Sequence, residues 1–248
     1  MRLIALLYAF VAYATAIGTV FYGIPWLANL DAAPVTIDSN PPASLSTALA
    51  VNGLLLLVFA VQHTVQARPW FKRIFNKYVH ESVERASYVL LSNVAFVLMY
   101  IYWVPVEGYV WRVEGGLAVV LWGLFGFGWV VAVFAILIKN HFHFLGLRQA
   151  WLYFSQEKIT QEKLRRSFVY SIVRHPMYLG FLLAYWATPE MSIGHFIFAA
   201  GMTVYTLVGI QFEERMLIHY IGDEYRDYKR RVPMLIPFTK HRLKGRVP

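Results

Sequence analysis

The sequence predicts an all-α polytopic bundle in a membrane, with five to six membrane helices and a cytosolic C-terminal segment. Three observations carry that prediction. Of 248 residues, 58% are hydrophobic and only 15% are charged, against about 25% charged in an ordinary soluble domain. Apolar stretches close to the ~20 residues needed to span a bilayer recur along the chain. The basic residues fall almost entirely in alternate loops. This composition excludes a disordered chain and a simple water-soluble domain. There are no cysteines, so disulfides, thiolate metal sites and a cysteine nucleophile are excluded too.

The first apolar stretch runs from Leu3 to Ile24 and meets Pro25. Arg2 and the Ala12-Tyr13-Ala14 triplet imitate a secretory signal, but the apolar run continues well past them, so an uncleaved helix is expected. The second stretch covers about Leu45 to Val61, and the third Ala86 to Val104, before Pro105. The fourth covers Leu117 to Ile138. Within it, Gly123, Gly126 and Gly128 imitate a nucleotide-binding loop. No strand precedes them, so close helix packing by small residues is expected. The fifth stretch, Met177 to Thr188, is short and ends at Pro189. Its length leaves open whether it crosses the whole bilayer. With the sixth, Ile193 to Phe212, it reads as a helical hairpin around Pro189. Residues 1–248 read as a single unit, with a four-helix part over 1–138 and a cofactor-binding catalytic part over 139–248.

Loop charges orient the chain. The net charge is +9, which in a soluble protein would suggest nucleic acid. Here Arg112 is the one basic residue of the outer loops, and the other 22 of the 23 Lys and Arg lie on the opposite side. The positive-inside rule puts both termini and both long loops in the cytosol. The basic excess therefore sets topology and meets anionic lipid, and no nucleic-acid partner is expected.

Polar residues collect at the cytosolic helix ends. They are Gln62, His63 and Gln66; Arg85 and Ser87; Asn140, His141 and His143; Arg174, His175 and Tyr178; and Gln211, Glu213, Glu214 and Arg215. Such groups are costly near a membrane interior, so a site opening to the cytosolic leaflet is expected. His141 and His143 are two apart, but a helix end without carboxylate or thiol partners does not suit a metal, and none is expected. Pro176 fits the first turn of a helix and forces the residue before it out of helical geometry. The resulting helix start could receive an anion. Tyr178 stands three residues after His175 and shares its helical face. Glu213 and Glu214 could pair with an ammonium, or with Arg174 or Arg215. Tyr170 could close a pocket against water, whereas Tyr225 and Tyr228 are expected to anchor the C-terminal segment.

Residues 170–180 read Tyr-Ser-Ile-Val-Arg-His-Pro-Met-Tyr-Leu-Gly. Gln211-Phe-Glu-Glu-Arg215, Gly222-Asp-Glu-Tyr-Arg-Asp-Tyr228 and Arg231-Val-Pro-Met-Leu-Ile-Pro237 follow. This order and spacing, over roughly residues 165–237, resembles the isoprenylcysteine carboxyl methyltransferase and phospholipid methyltransferase superfamily of integral membrane enzymes. Further segments begin at Gln62-His63, Glu84-Arg85-Ala-Ser87-Tyr88, Asn140-His141 and Leu145-Gly146-Leu-Arg148-Gln149. They resemble one subgroup, the methanethiol S-methyltransferases with the related NnrU-type proteins.

The resemblance implies an S-adenosylmethionine-dependent S-methyltransferase of a bacterial inner membrane. It would convert methanethiol to dimethyl sulfide and leave S-adenosylhomocysteine. It implies cofactor contacts from Tyr170, His175, Pro176, Tyr178, Gly180, Glu213 and Glu214, with Gly180 bare so that a flat adenosyl group can approach. A thiol must lose its proton before it attacks. His141, His143 or His63 could take that proton, and Arg148 or Arg174 could lower the thiol's pKa; Glu214 is a further catalytic candidate. A prenylcysteine carboxylate or lipid amine is the alternative acceptor. A non-enzymatic membrane protein of nitrogen-oxide metabolism is the alternative class.

Overall fold

The computed structural model describes residues 1–158 and 168–239. Lys163, Arg165 and Arg166 of the loop expected to be cytosolic, and the basic tail from Lys240, lie outside the described residues. In chain order the elements are α1 (Arg2–Leu27), α2 (Leu45–Gln66), α3 (Pro69–Phe75), α4 (Glu81–Tyr102), β1 (Tyr109–Arg112), α5 (Gly115–Ile138), α6 (His141–Phe144), α7 (Leu147–Phe154), α8 (Phe168–Ile172), α9 (Pro176–Trp186), β2 (Glu190–Ser192), α10 (Ile193–Ile221) and α11 (Asp223–Arg231). Five of these, α1, α2, α4, α5 and α10, are long and apolar enough to cross a membrane. The chain is an all-α polytopic bundle.

Helix ends depart from the apolar stretches wherever polar groups find partners. Pro25 lies inside α1 rather than ending it. It stands in the last turn, where its carbonyl still accepts from Leu30 N at 3.1 Å. α2 continues past Val61 because Gln62 and Gln66 bond one turn apart at 2.9 Å. It stops before Pro69, which opens α3 at the first helical position. α10 runs nine residues beyond Phe212, to Ile221, so Glu213 and Glu214 lie within a helix rather than at its end. At 11 residues, α9 is about 16 Å long, roughly half the hydrocarbon core. It does not cross alone.

The turn around Pro189 is more elaborate than a hairpin. β2 pairs antiparallel with β1, with Trp111 opposite Met191 and Arg112 opposite Glu190. Four- and three-residue strands give no periodic signal that a sequence reading could use. Asp38 accepts from Ser192 Oγ at 2.6 Å, which ties the 28–44 loop to the same end. Beneath it lies the main core, where Trp26, Trp103 and Phe198 pack edge to face.

α9 rests on α5 through small residues. A Cβ on Gly180 would lie 2.4 Å from Ala132 N, and one on Gly128 would lie 2.7 Å from Gly180 O. The backbones therefore touch. A Cβ at Gly123 or Gly126 would meet nothing within 4 Å, so only Gly128 of that trio serves packing. Gly180→Val should lower the thermal stability of the solubilised protein by about 1–3 kcal/mol through overpacking. Gly126→Ala should leave it unchanged or raise it by up to about 1 kcal/mol. Equal melting temperatures for the two variants would contradict this packing.

Candidate active site

The N-terminal end of α9 is where the polar segments meet. His175 caps the helix with non-helical geometry (φ −128°, ψ 65°), and Pro176 opens it. The segment after α11 clasps this entrance. Arg174 N donates to Pro233 O at 2.9 Å and His175 N to Met234 O at 3.2 Å. Arg174 Nη1 donates to Lys229 O at 3.1 Å and Val232 O at 2.5 Å. Tyr228 Oη donates to Tyr170 O at 2.6 Å, which holds α11 against α8.

Glu214 is the centre of this arrangement. It is 1% exposed, and an unpaired carboxylate there would be very costly. Its Oε1 accepts from Arg174 Nε at 2.7 Å and faces His175 Nε2 at 3.1 Å. Its Oε2 pairs with Lys229 Nζ at 2.7 Å. Burial holds the His175 pKa below its ordinary value, against the opposing pull of Glu213 and Glu214. A neutral His175 donating from Nε2 satisfies that geometry.

Glu213 faces the other way. It accepts from Tyr178 Oη at 3.1 Å, and its side chain is 33% exposed. His175 Nδ1 stands 3.8 Å away, beyond hydrogen-bond reach. The His175 and Tyr178 rings stack at 5.7 Å. Tyr170 keeps a buried hydroxyl that has no partner among the described residues. Burial, and then Glu213, raises its pKa.

A second polar group borders the first. Gly146, in left-handed geometry (φ +92°), lets the α6–α7 turn approach α4 so closely that a Cβ would lie 2.6 Å from Ala86 N. That approach brings Phe144 O to 2.7 Å from Arg85 Nε. The guanidinium lies over the rings of Tyr88, at 4.8 Å, and Phe144, at 5.0 Å. Tyr88 Oη bonds His63 Nε2, whose other nitrogen meets Ser92 Oγ at 2.9 Å.

The family profile described as NnrU protein matches residues 53–239. The chain belongs to the NnrU protein family. Among its relatives, methanethiol S-methyltransferase 2 of Bradyrhizobium diazoefficiens is 43% identical, covering 99% of this chain and 95% of that protein. Methanethiol S-methyltransferase of Mycobacterium tuberculosis is 41% identical, over 96% of this chain and 97% of that protein. The enzyme of that name in Pseudomonas deceptionensis is 43% identical, over 95% and 90%. No solved structure matches the chain.

In this NnrU-family chain, Tyr170, Arg174, His175, Pro176, Tyr178, Glu213 and Glu214 come together. Gly180 does not offer a bare floor to a ligand: it is buried against Gly128 and Ala132 of α5. Glu214 is occupied by Arg174, His175 and Lys229, which leaves Glu213 as the carboxylate open to a ligand. His141 stands apart, with Nδ1 2.8 Å from Tyr13 Oη of α1. His143 is on α6 and Arg148 on α7. Among the described residues, no three His, Cys, Asp or Glu side chains could hold a metal ion. Sequence reasoning missed Lys229. Its signal was its place one residue after the Gly222–Tyr228 segment.

Removing the Glu214 charge strands the buried Arg174 guanidinium and leaves Lys229 without its partner. Glu214→Gln should cost about 3–5 kcal/mol of stability, read by thermal unfolding in detergent, and a loss under about 1 kcal/mol would contradict the cluster. His175 yields a pH prediction. Its folded pKa lies below the ordinary 6.5, so the unfolded chain binds the proton first and stability falls as pH drops through that window. Between about pH 7 and about pH 5.5 the melting temperature should fall further in the native protein than in His175→Gln.

Proposed function

We propose that this chain transfers a methyl group from S-adenosylmethionine to methanethiol, giving dimethyl sulfide and S-adenosylhomocysteine. The observation that carries the reading is that three relatives named methanethiol S-methyltransferase match at 41–43% identity over nearly the whole chain. The geometry is suited to it. S-adenosylmethionine, when bound, supplies an electrophilic methyl group on a sulfonium.

The residues present fit such a donor. Glu213 offers a partly open carboxylate to an ammonium. The first turn of α9 has backbone N–H groups without helical partners, which suit a carboxylate. The Tyr170 hydroxyl, without a partner among the described residues, and the His175–Tyr178 stack supply a polar contact and a flat surface. Glu214 is a positioning residue, since it holds Arg174 and His175 rather than a ligand. The protein's main task is then alignment of two small reactants in a site from which water is kept. Both halves of the chain act as one unit, with the donor held by residues after 139 and the wall opposite supplied by α2 and α4. The basic end of the bundle faces the cytosol of a bacterial inner membrane in this reading, supported by the charge bias of the loops.

Membranes containing the protein, given S-adenosylmethionine and methanethiol, should yield dimethyl sulfide by gas chromatography, and His175→Ala membranes should yield little. Glu213→Gln should weaken calorimetric binding of S-adenosylhomocysteine by about tenfold, the loss of one charge-assisted contact. Undiminished binding would remove Glu213 from the donor site. No product above the His175→Ala control would sink the activity.

A further inference from the structure

The Arg85–Tyr88–His63 group is left over by the donor site, and its hydrogen bonds have a direction. Ser92 Oγ donates to Tyr88 O at 2.8 Å. Its lone pair is then what meets His63 Nδ1 at 2.9 Å. His63 therefore carries its proton on Nδ1, and its Nε2 accepts the hydroxyl proton of Tyr88. Tyr88 Oη has no other partner among the described residues, so its own lone pairs are left for a further donor.

Arg85 lies one turn before Tyr88. Its Nε is taken by Phe144 O, and no carboxylate stands within 4.0 Å of the guanidinium among the described residues. The adjacent acid, Glu84, is already held by Lys72 at 2.6 Å and Asn76 at 2.9 Å. A sheltered guanidinium without a counter-ion is costly unless an anion joins it. Tyr178 lies within electrostatic reach of Arg85, and Glu213 within reach of Tyr88. The His63 ring also meets the ring of Tyr205 at 6.2 Å, on the helix that carries Glu213, so the group borders the donor site.

We propose that Arg85, Tyr88 and His63 form the acceptor side of the site: Arg85 holds the thiolate sulfur, and Tyr88 passes the thiol's proton to His63. This rests on methyl transfer to a thiol as read above. The thiol S–H bond breaks as an O–H bond forms on Tyr88, and the Tyr88 proton moves to His63 Nε2. The sulfur's lone pair forms the new S–C bond to the donor's methyl carbon. The donor's own S–C bond breaks, its electron pair stays on the donor sulfur, and His63 later releases the proton to water. Arg85 and Tyr88 are catalytic residues in this scheme, and His63 is a positioning and relay residue. The charged or titratable groups acting on them are Glu84 of α4, Tyr178 of α9 and Tyr205 and Glu213 of α10. Arg68 acts on Tyr205 from beyond α2. The group replaces His141 as proton acceptor, since His141 Nδ1 is engaged with Tyr13.

The test uses the full-length solubilised protein with saturating donor, dimethyl sulfide as readout and S-adenosylhomocysteine affinity by calorimetry as control. Tyr88→Phe, Arg85→Lys and His63→Gln should each slow turnover by about 10²–10⁴-fold, while the affinity stays within about threefold. The Tyr88→Phe rate should recover as pH rises towards the thiol's own ionisation. Its defect should shrink to under about tenfold with an acidic aromatic thiol, which needs no base. A merely structural role would move neither readout. Tyr88→Phe within threefold of native turnover, a defect equal at every pH and with every thiol, or a parallel loss of S-adenosylhomocysteine binding would each overturn the assignment. A native protein that makes no dimethyl sulfide would instead sink the methanethiol reading beneath it.

Discussion

Glu214 is a carboxylate placed inside a helix bundle, where it is tolerable only with several donors around it. Arg174 comes from the loop before α9, His175 from the cap of that helix, and Lys229 from α11. Two segments, the entrance to α9 and the end of α11, are therefore tied to one pair of oxygens on α10. Removing any one of them exposes the rest to the full cost of a buried charge. The order of the C-terminal signature follows. The Arg-His-Pro triplet, the Glu-Glu pair and the backbone acceptors of the Val-Pro-Met segment serve one another across this centre. Glu213 is turned outward beside Tyr178 because its neighbour is turned inward.

Two glycine contacts set the height of everything else. Gly180 against Gly128 and Ala132 fixes α9 on α5, so the entrance to α9 sits near the basic end of the bundle. Gly146 against Ala86 fixes the α6–α7 turn on α4, which brings Phe144 O to Arg85. One contact places the His175–Glu213 side of the candidate site and the other places the Arg85 group beside it. Neither is visible in composition, because a small residue in an apolar helix has the same letter whether or not a backbone lies against it. Gly126 and Gly128 show this: two residues apart, one is open and the other is in contact.

The membrane architecture was legible because it rests on sums. Apolar length and loop charge are properties of whole segments, and single errors do not disturb them. Helix ends were less legible. Gln62, Gln66, Glu213 and Glu214 interrupt the apolar pattern, yet their helices continue, because the two glutamines bond each other and partners on other segments satisfy the glutamates. The short strands at Tyr109–Arg112 and Glu190–Ser192 pair over some eighty residues of sequence, which no local pattern records. The candidate site was half legible. Residue types and motif order marked Arg174, His175, Tyr178 and Glu213. The role of Glu214 depended on Lys229, and that of Gly180 on Ala132, both facts of packing. His63 was one of three open bases in the sequence. The direction of the Ser92 and Tyr88 hydrogen bonds, and the engagement of His141 with Tyr13, separate the two.

The claim at the centre of this account is that the donor binds between Glu213 and the stacked His175–Tyr178 pair, facing Arg85 and Tyr88. An experimental structure of the full chain with bound S-adenosylhomocysteine tests it most directly. The account predicts the ligand's ammonium on Glu213, its sulfur turned towards Tyr88, and the Arg174–Glu214–Lys229 cluster unbroken. A ligand seated against α6 and α7, or a Glu214 released from Arg174 to meet it, would contradict the account.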